Sequence, residues 1–294
     1  MSDPDKDETI PPPLASARPA ASVRVDASGL SDRGKVRADN QDHFYLGRMG
    51  RFSEVLATSL PPGTLIEHLE ETGYVGVVAD GMGGHAGGEV ASRTAISLFF
   101  HFLFETPDWV LRVDDESAQK IFDRVTSRYR NLDQVLAEQA EVDPELRGMG
   151  TTMTLVYSLG YDLFLGHAGD SRAYLCRNGS LEQLTRDHTR VQELVEMGML
   201  TREEAATHRW RNVLTNVLGG GVPLTDVDVH RVALASGDVV LLCSDGLYDV
   251  MQDDEIARIL GALGSAAAAC HALVDLALSR GAPDNVTVVI LRYS

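Results

Sequence analysis

Residues Val77 to Glu89, VVADGMGGHAGGE, leave the backbone few choices. A short apolar run ends on Asp80, five glycines follow with His85 among them, and from Val90 to Phe104 apolar residues recur at three- and four-residue spacing. That order is strand, tight turn, helix start. Where a carboxylate leaves a strand into a glycine turn, its oxygens and the next backbone carbonyls can face a hard cation, because no Cβ blocks the approach. Taken alone, the same residues equally fit a glycine-rich turn with a solvent-facing acid. What recurs elsewhere in the chain bears on the choice.

Asp245 and Gly246 follow the apolar run Val239 to Cys243 with one small residue between, repeating the arrangement at Asp80 and Gly81. Asp170 sits in a turn between two β-type runs, Asp284 and Asn285 directly precede the run Val286 to Leu291, and Arg37, Asn40 and Asp42 precede His43, Phe44 and Tyr45. Gly-Asp-Ser at 169–171 also satisfies simple turn chemistry. If these carboxylates converge without lysine partners, they raise one another's pKa unless cations neutralise them. Oxygen-only ligands select a hard ion such as Mg²⁺ or Mn²⁺ over zinc. Two such ions roughly 3.5 to 4 Å apart suit in-line phosphoryl transfer to water, with an arginine fork for the phosphate.

The bulk numbers exclude several classes. The 294 residues are compatible with one large domain, and 44% hydrophobic with 23% charged is ordinary for a folded soluble protein. Acidic residues outnumber basic ones 43 to 26, a formal net charge of -17, which argues against nucleic acid as a partner. Cys176, Cys243 and Cys270 are widely spaced and odd in number, so neither a disulfide framework nor paired-Cys zinc spacing is present, and the compartment reads as reducing. The first residues lack the basic and apolar regions of a signal peptide, and no run reaches the roughly 18 to 20 apolar residues of a membrane span.

Residues 1–22 are acidic and proline-rich, the composition of a disordered tail. A folded region from 23 to 294 is expected to follow. Its elements are a first strand at Val23 to Leu30, a buried strand at Tyr74 to Ala79, helices at about 88–104 and 117–139, three antiparallel strands between Thr152 and Arg177, and two helices after Asp254. The 48–72 segment has no sustained period and reads as an inserted loop or short hairpin. Residues 184–218 offer two short helices and no strand, an excursion that covers a site opening or simply runs over the surface.

These residues together carry a resemblance to a known family. RADNQD at 37–42, the DGMGGH stretch at 80–85, GMGTT at 148–152, GHAGDSRAYL at 166–175, LCSDGLYD at 242–249 and PDNVTVV at 283–289 occur in the order of the bacterial metal-dependent serine/threonine protein phosphatases known as PPM or PP2C. The resemblance covers about Val23 to Leu291. It implies an α+β fold, a four-layer α/β/β/α sandwich of two mostly antiparallel sheets between helix pairs, with the metal site at one edge. It implies Mn²⁺ or Mg²⁺ as cofactor, two to three ions: Asp80 bridging two of them, the Gly81 carbonyl on one, Asp245 and Asp284 on the other, and Asp170 on a third. Asp42 would contact a metal directly or through its water, Arg37 would bind the phosphate, His85 would protonate the departing seryl or threonyl oxygen, and Asn285 would support the opening.

The implied activity is hydrolysis of phosphoserine and phosphothreonine on proteins by metal-activated water, with residues 184–218 as the flap beside the site. The implied setting is a cytoplasmic monomer acting on phosphorylated proteins, a Ser/Thr kinase or the kinase's substrates. Two other readings use the same fold: a dedicated phosphatase of a partner-switching regulator, and an inactive phosphoprotein-binding module. Intact acids and the long flap favour the general phosphatase. Two departures from the simplest pattern are the long 48–72 segment and Gln41 beside Asp42.

Overall fold

A computed structural model describes residues 23–61, 64, 68–83, 87–105, 115–221 and 224–294. In chain order its elements begin with β1 (Val25–Asp32), β2 (Asp42–Glu54), β3 (His68–Met82), α1 (Gly87–Glu105), α2 (Asp115–Val142), β4 (Gly150–Thr151), β5 (Met153–Leu159), β6 (Asp162–Ala168), β7 (Arg172–Arg177) and β8 (Ser180–Gln183). They continue with α3 (Arg190–Glu196), α4 (Arg202–Ala206), β9 (Leu218–Gly219), β10 (Asp228–Ala233), β11 (Val239–Cys243), α5 (Asp245–Tyr248), α6 (Asp253–Ala262), α7 (Ala266–Ser279) and β12 (Val286–Tyr293).

The final strand shows how the layers arise. Along β12, Val286, Val288 and Ile290 join Leu241 of neighbouring β11 in packing with Ile256 of α6 and Leu273 of α7. The alternate residues Val289 and Leu291 meet Val78, Val156 and Leu165 of the other sheet. Side chains alternate faces along a strand, so a strand covered on both sides must be apolar throughout. β3 does the same from the opposite side: Val75, Val77 and Ala79 pack with Phe99, Tyr129 and Leu132 of α1 and α2, while Val78 points to the layer between the sheets.

One sheet has the order β1-β12-β11-β7-β8, and the other runs β10-β6-β5-β3, with β2 and the short β4–β9 pair also joined to β3. All the described pairings between these strands are antiparallel. The result is the expected four-layer sandwich. Tyr129 ties α2 to its sheet by donating its buried hydroxyl to the Gly166 carbonyl at 2.9 Å.

Three local details change. Of the two readings of 48–72, inserted loop or short hairpin, only the hairpin remains: β2 and β3 extend into it, paired from Asp42–Asp80 out to Glu54–His68. β5 covers β3 only from Gly73 to Val78. Beyond that point the hairpin is a two-stranded ribbon that β5 does not pair with, and Phe52 on it is 78% exposed, in keeping with the lack of alternation in its sequence. The second change is α5, a single turn beginning on Asp245 itself, where a bare strand end was expected. The third is β8, a short added edge strand paired to β7. The 184–218 excursion does contain two short helices, α3 and α4, and is closed at its root by a bridge between Thr189 and Leu214. The expected tail, 1–22, lies outside the described residues.

Candidate metal centre

Strand ends from both sheets meet at one edge of the sandwich. β3 ends just past Asp80, β11 ends two residues before Asp245, β12 begins two residues after Asp284, and Asp170 lies in the turn from β6 to β7. Asp42 opens β2 directly opposite Asp80. The topology therefore brings Asp42, Asp80, Asp170, Asp245 and Asp284 to this edge.

Backbone contacts fix Asp80 closely. Its N–H donates to Thr152 Oγ1 at 3.0 Å, and its carbonyl accepts from Thr151 Oγ1 and the Thr152 N–H, both at 2.8 Å. Gly81 and Gly88 allow β3 and α1 to touch: a Cβ on Gly81 would fall on the Gly88 carbonyl, and one on Gly88 would meet both the Gly81 backbone and Gln41 Oε1. Gln41 is the matching contact on the other side. Its carbonyl accepts from the Gly81 N–H at 3.2 Å and from Ser92 Oγ at 2.6 Å.

The electrostatics show how close the acids are. Burial, and then the charges of Asp42, Asp245, Asp170 and Asp284, push the Asp80 carboxyl well above its usual range. Burial and then Asp170, Asp284, Asp249 and Asp42 do the same to Asp245. Burial raises Asp42 to about 6 against an opposing hydrogen bond from Ser244. Asp170 is raised to about 7 by burial and then by Asp187. Asp80 and Asp245 nonetheless keep a partly exposed edge, as ligands reached from solvent must.

These residues fit hard cations. Asp42 is the clearest test: Oδ2 accepts from Ser244 Oγ at 2.6 Å, while Oδ1 is buried and has no hydrogen-bond partner among the described residues. An orphaned, desolvated carboxylate oxygen beside other carboxylates calls for a cation or water. The donor set is all oxygen, which suits Mg²⁺ or Mn²⁺. Among the described residues no three His, Cys, Asp or Glu side chains already close on one point as a cage.

Arg37 lies over this cluster from the exposed loop after β1, with Nη2 donating to Asp284 Oδ2 at 2.5 Å. Its guanidinium is held charged by that bond first and by the nearby Asp245 and Asp80 as well. Asn285 is buried and serves this loop instead of the flap: Oδ1 accepts from the Gln41 N–H at 2.8 Å, and Nδ2 donates to the carbonyls of Arg33 and Asp39 at 2.8 and 3.0 Å. His85 lies outside the described residues.

Several contributors escaped the sequence reading. Ser244 orients Asp42 and also accepts from the Thr287 N–H at 3.0 Å. Tyr248 donates its hydroxyl to the Asp170 carbonyl at 3.0 Å. The Arg172 guanidinium lies 3.6 Å from the centre of the Tyr248 ring and pairs with Asp187 at 2.6 Å. Arg172, Ser244 and Tyr248 lie inside the stretches 166–175 and 242–249 that carry the resemblance, but their contacts do not follow from sequence position, and Asp187 lies in no such stretch.

A family model described as protein phosphatase 2C matches residues 64–277. The chain belongs to the protein phosphatase 2C family. It is 38% identical over 260 residues to serine/threonine protein phosphatase PstP of Mycobacterium tuberculosis, covering 88% of this chain but 43% of that protein. The chain thus spans less than half the length of that relative. Serine/threonine phosphatase stp of Listeria monocytogenes is 33% identical over 270 residues, 91% of this chain and 95% of its own.

Solved structures agree on the fold. The Streptococcus agalactiae serine/threonine phosphatase superposes with a TM-score of 0.77 at 29% identity, over 92% of this chain and 99% of that one. The PstP catalytic domain in complex with two manganese ions gives a TM-score of 0.72 at 35% identity, over 92% and 99%. The two-sheet sandwich with flanking helices is therefore the phosphatase 2C architecture.

Proposed function

We propose that this chain hydrolyses phosphoserine and phosphothreonine on proteins, using two to three Mn²⁺ or Mg²⁺ ions held at the sandwich edge. The observation that carries the reading is the set of desolvated, mutually repelling carboxylates, Asp42, Asp80, Asp170 and Asp245, with Arg37 lying over them. Asp80, the Gly81 carbonyl, Asp245 and Asp284 would hold two ions, and Asp170, faced by Asp245, a third. Such ions, when bound, lower the pKa of water and offset phosphate charge.

The chain's own groups supply the remainder. Arg37 spends one of its five N–H donors on Asp284, and the others are free in number to grip two phosphate oxygens. Asp42, half-satisfied by Ser244, orients water with its second oxygen. His85, two positions before Gly87 in the sequence, protonates the departing alkoxide, a duty suited to an imidazole pKa. Its partners would be phosphorylated proteins, including a Ser/Thr kinase or that kinase's substrates. Among the described residues no helix is long and apolar enough to cross a membrane, and the reading places the chain in the cytoplasm as a monomer.

The test is hydrolysis of a phosphothreonine peptide by purified protein, with and without Mn²⁺ or Mg²⁺. Activity should require the ion, and Asp245→Asn should lower it by orders of magnitude while the circular dichroism spectrum is retained. Activity in excess EDTA, or full activity of the Asp245→Asn protein, overturns the reading.

A further inference from the structure

Two histidines lie buried against each other, His167 on β6 and His188 at the root of the flap, with ring centres 4.9 Å apart. The reaction uses neither. His188 nonetheless has a hydrogen bond at every polar atom. Its N–H donates to the Gly169 carbonyl at 2.7 Å, and its own carbonyl accepts from the Thr215 N–H at 2.9 Å. In the ring, Nδ1 takes the Gly169 N–H at 3.1 Å and Asn216 Nδ2 at 3.1 Å, and Nε2 faces Asp228 Oδ2 at 3.1 Å.

The protonation pattern follows from the partners. Asn216 Oδ1 accepts from the Thr225 N–H at 3.0 Å, and Asn216 Nδ2 donates to the Asp226 carbonyl at 2.8 Å, so the amide cannot be turned round. Both groups facing Nδ1 are then donors. Nδ1 must be the bare acceptor, and the proton sits on Nε2 toward the Asp228 carboxylate.

These bonds join three pieces of chain. Thr189 and Leu214 form the bridge that closes the flap, and Thr215 and Asn216 continue its returning root. Gly169, at φ +116, is the residue before Asp170. The neighbouring residue, Asp187, holds Arg172 on the far side of the same turn. Tyr248, under the Arg172 guanidinium, takes the Asp170 carbonyl from the third side.

We propose that His188 is a positioning residue that fastens both roots of the flap to the Gly169–Asp170 turn, so that the seat of the flap and the placement of Asp170 are set together. The imidazole does this because one ring offers an acceptor to the turn and to the returning root, and a donor to β10. A load on the flap is therefore transmitted to the turn that carries Asp170. The consequence for metal binding rests on the reading of Asp170 as a ligand; the mechanical coupling does not.

The test compares His188→Leu with His188→Asn in the full chain. Leucine leaves the Gly169 N–H and one of the two Asn216 Nδ2 hydrogens without an acceptor, whereas the asparagine Oδ1 replaces Nδ1. Deuterium exchange should quicken about tenfold in both 167–172 and 189–216 for the leucine variant, with β11 and β12 unchanged, and asparagine should restore most of the protection. Calorimetric titration with Mn²⁺ should show the weakest binding step loosened in the leucine variant and recovered in the asparagine one. Joint loosening with an unchanged titration supports the coupling and overturns only Asp170 as ligand. Loosening of one segment without the other, or no recovery with asparagine, overturns the coupling. If the leucine variant does not fold, Asn216→Ala must give the same joint loosening, to a smaller degree, or the proposal fails.

Discussion

Asp42 and Asp80 stand directly opposite each other in the β2–β3 ladder, the last paired residues at the site end of that hairpin. Cross-strand neighbours on one face lie about 4.5 to 5.5 Å apart at Cβ, and like charges so placed are destabilising. Burial then keeps water from screening them. Burial first, and the Asp42 charge next, raise the Asp80 carboxyl well above its ordinary range.

For Asp80 the sign of the stability effect is set. A carboxyl whose folded pKa exceeds its unfolded one stabilises the fold below the unfolded value and loses that contribution as pH rises through the folded value. At pH 8 without metal, Asp80→Asn should therefore raise the melting temperature, at about 2 to 4 °C per kcal/mol for a chain of this size. Mn²⁺ should raise the melting temperature of the unaltered protein much more than that of the variant. Calorimetric melts in EDTA and in Mn²⁺ measure both, and a lower melting point for the variant in EDTA would contradict the account.

Asp170 supplies a second pH window. Its carboxyl is raised from 3.8 to about 7 by burial and then Asp187, so without metal its contribution falls away as pH climbs from about 4 to about 7. His167, lowered by burial to about 4, works in the opposite sense, adding stability as pH rises from about 4 to its ordinary 6.5. A raw melting curve mixes the two. The difference in stability between Asp170→Asn and the unaltered chain isolates Asp170, and it should grow in favour of the variant from pH 4 upward and level off above pH 7. A flat difference would show that Asp170 is not held protonated by the fold.

The acids of this site were legible because each follows or precedes an apolar run that both sheets bury, so sequence position alone assigns them to strand ends. Their partners were not. Ser244 reaches Asp42 across 202 positions in the chain, a pairing fixed by the order of strands β1, β12 and β11. His188 looked like one histidine in a polar excursion, and its role appears only once β6, β10 and the flap root are brought together. The 48–72 segment left loop and short hairpin both open for another reason: alternation records a buried face, and Phe52 of the outer ribbon is exposed. Asn285 was predicted at the opening, but its amide is consumed by Gln41, Arg33 and Asp39.

Asn285 should therefore act on phosphate binding through Arg37. Its amide is the clamp across residues 33–41, and Ala in its place leaves the half-buried Gln41 N–H without this acceptor, a loss of about 1 kcal/mol. Asn285→Ala should raise KM for a phosphopeptide about tenfold through the looser Arg37 loop, with a smaller change in kcat. Steady-state kinetics beside a thermal melt would measure both effects. An unchanged KM with reduced kcat would place Asn285 in the chemistry instead.

Gly81 gives the most severe test of the metal centre, because the demand there is spatial. A Cβ at this position overlaps the Gly88 carbonyl, which belongs to the first turn of α1, and crowds the Gln41 carbonyl on the other side. Both obstacles are backbone, so no side-chain rotation relieves them. Gly81→Ala must push the end of β3 away from α1 or from the β2 start, displacing Asp80 and the Gly81 carbonyl together. The expected outcome is loss of tight Mn²⁺ binding by calorimetry and a melting temperature that no longer responds to the ion, with a folded spectrum retained from the cores on either side of the sheets. Gly261→Ala, in α6 with open space around it and no left-handed backbone, is the control for general glycine loss and should bind Mn²⁺ like the unaltered chain. Normal Mn²⁺ affinity in the Gly81→Ala protein would show that the β3–α1 contact does not set the geometry of the site.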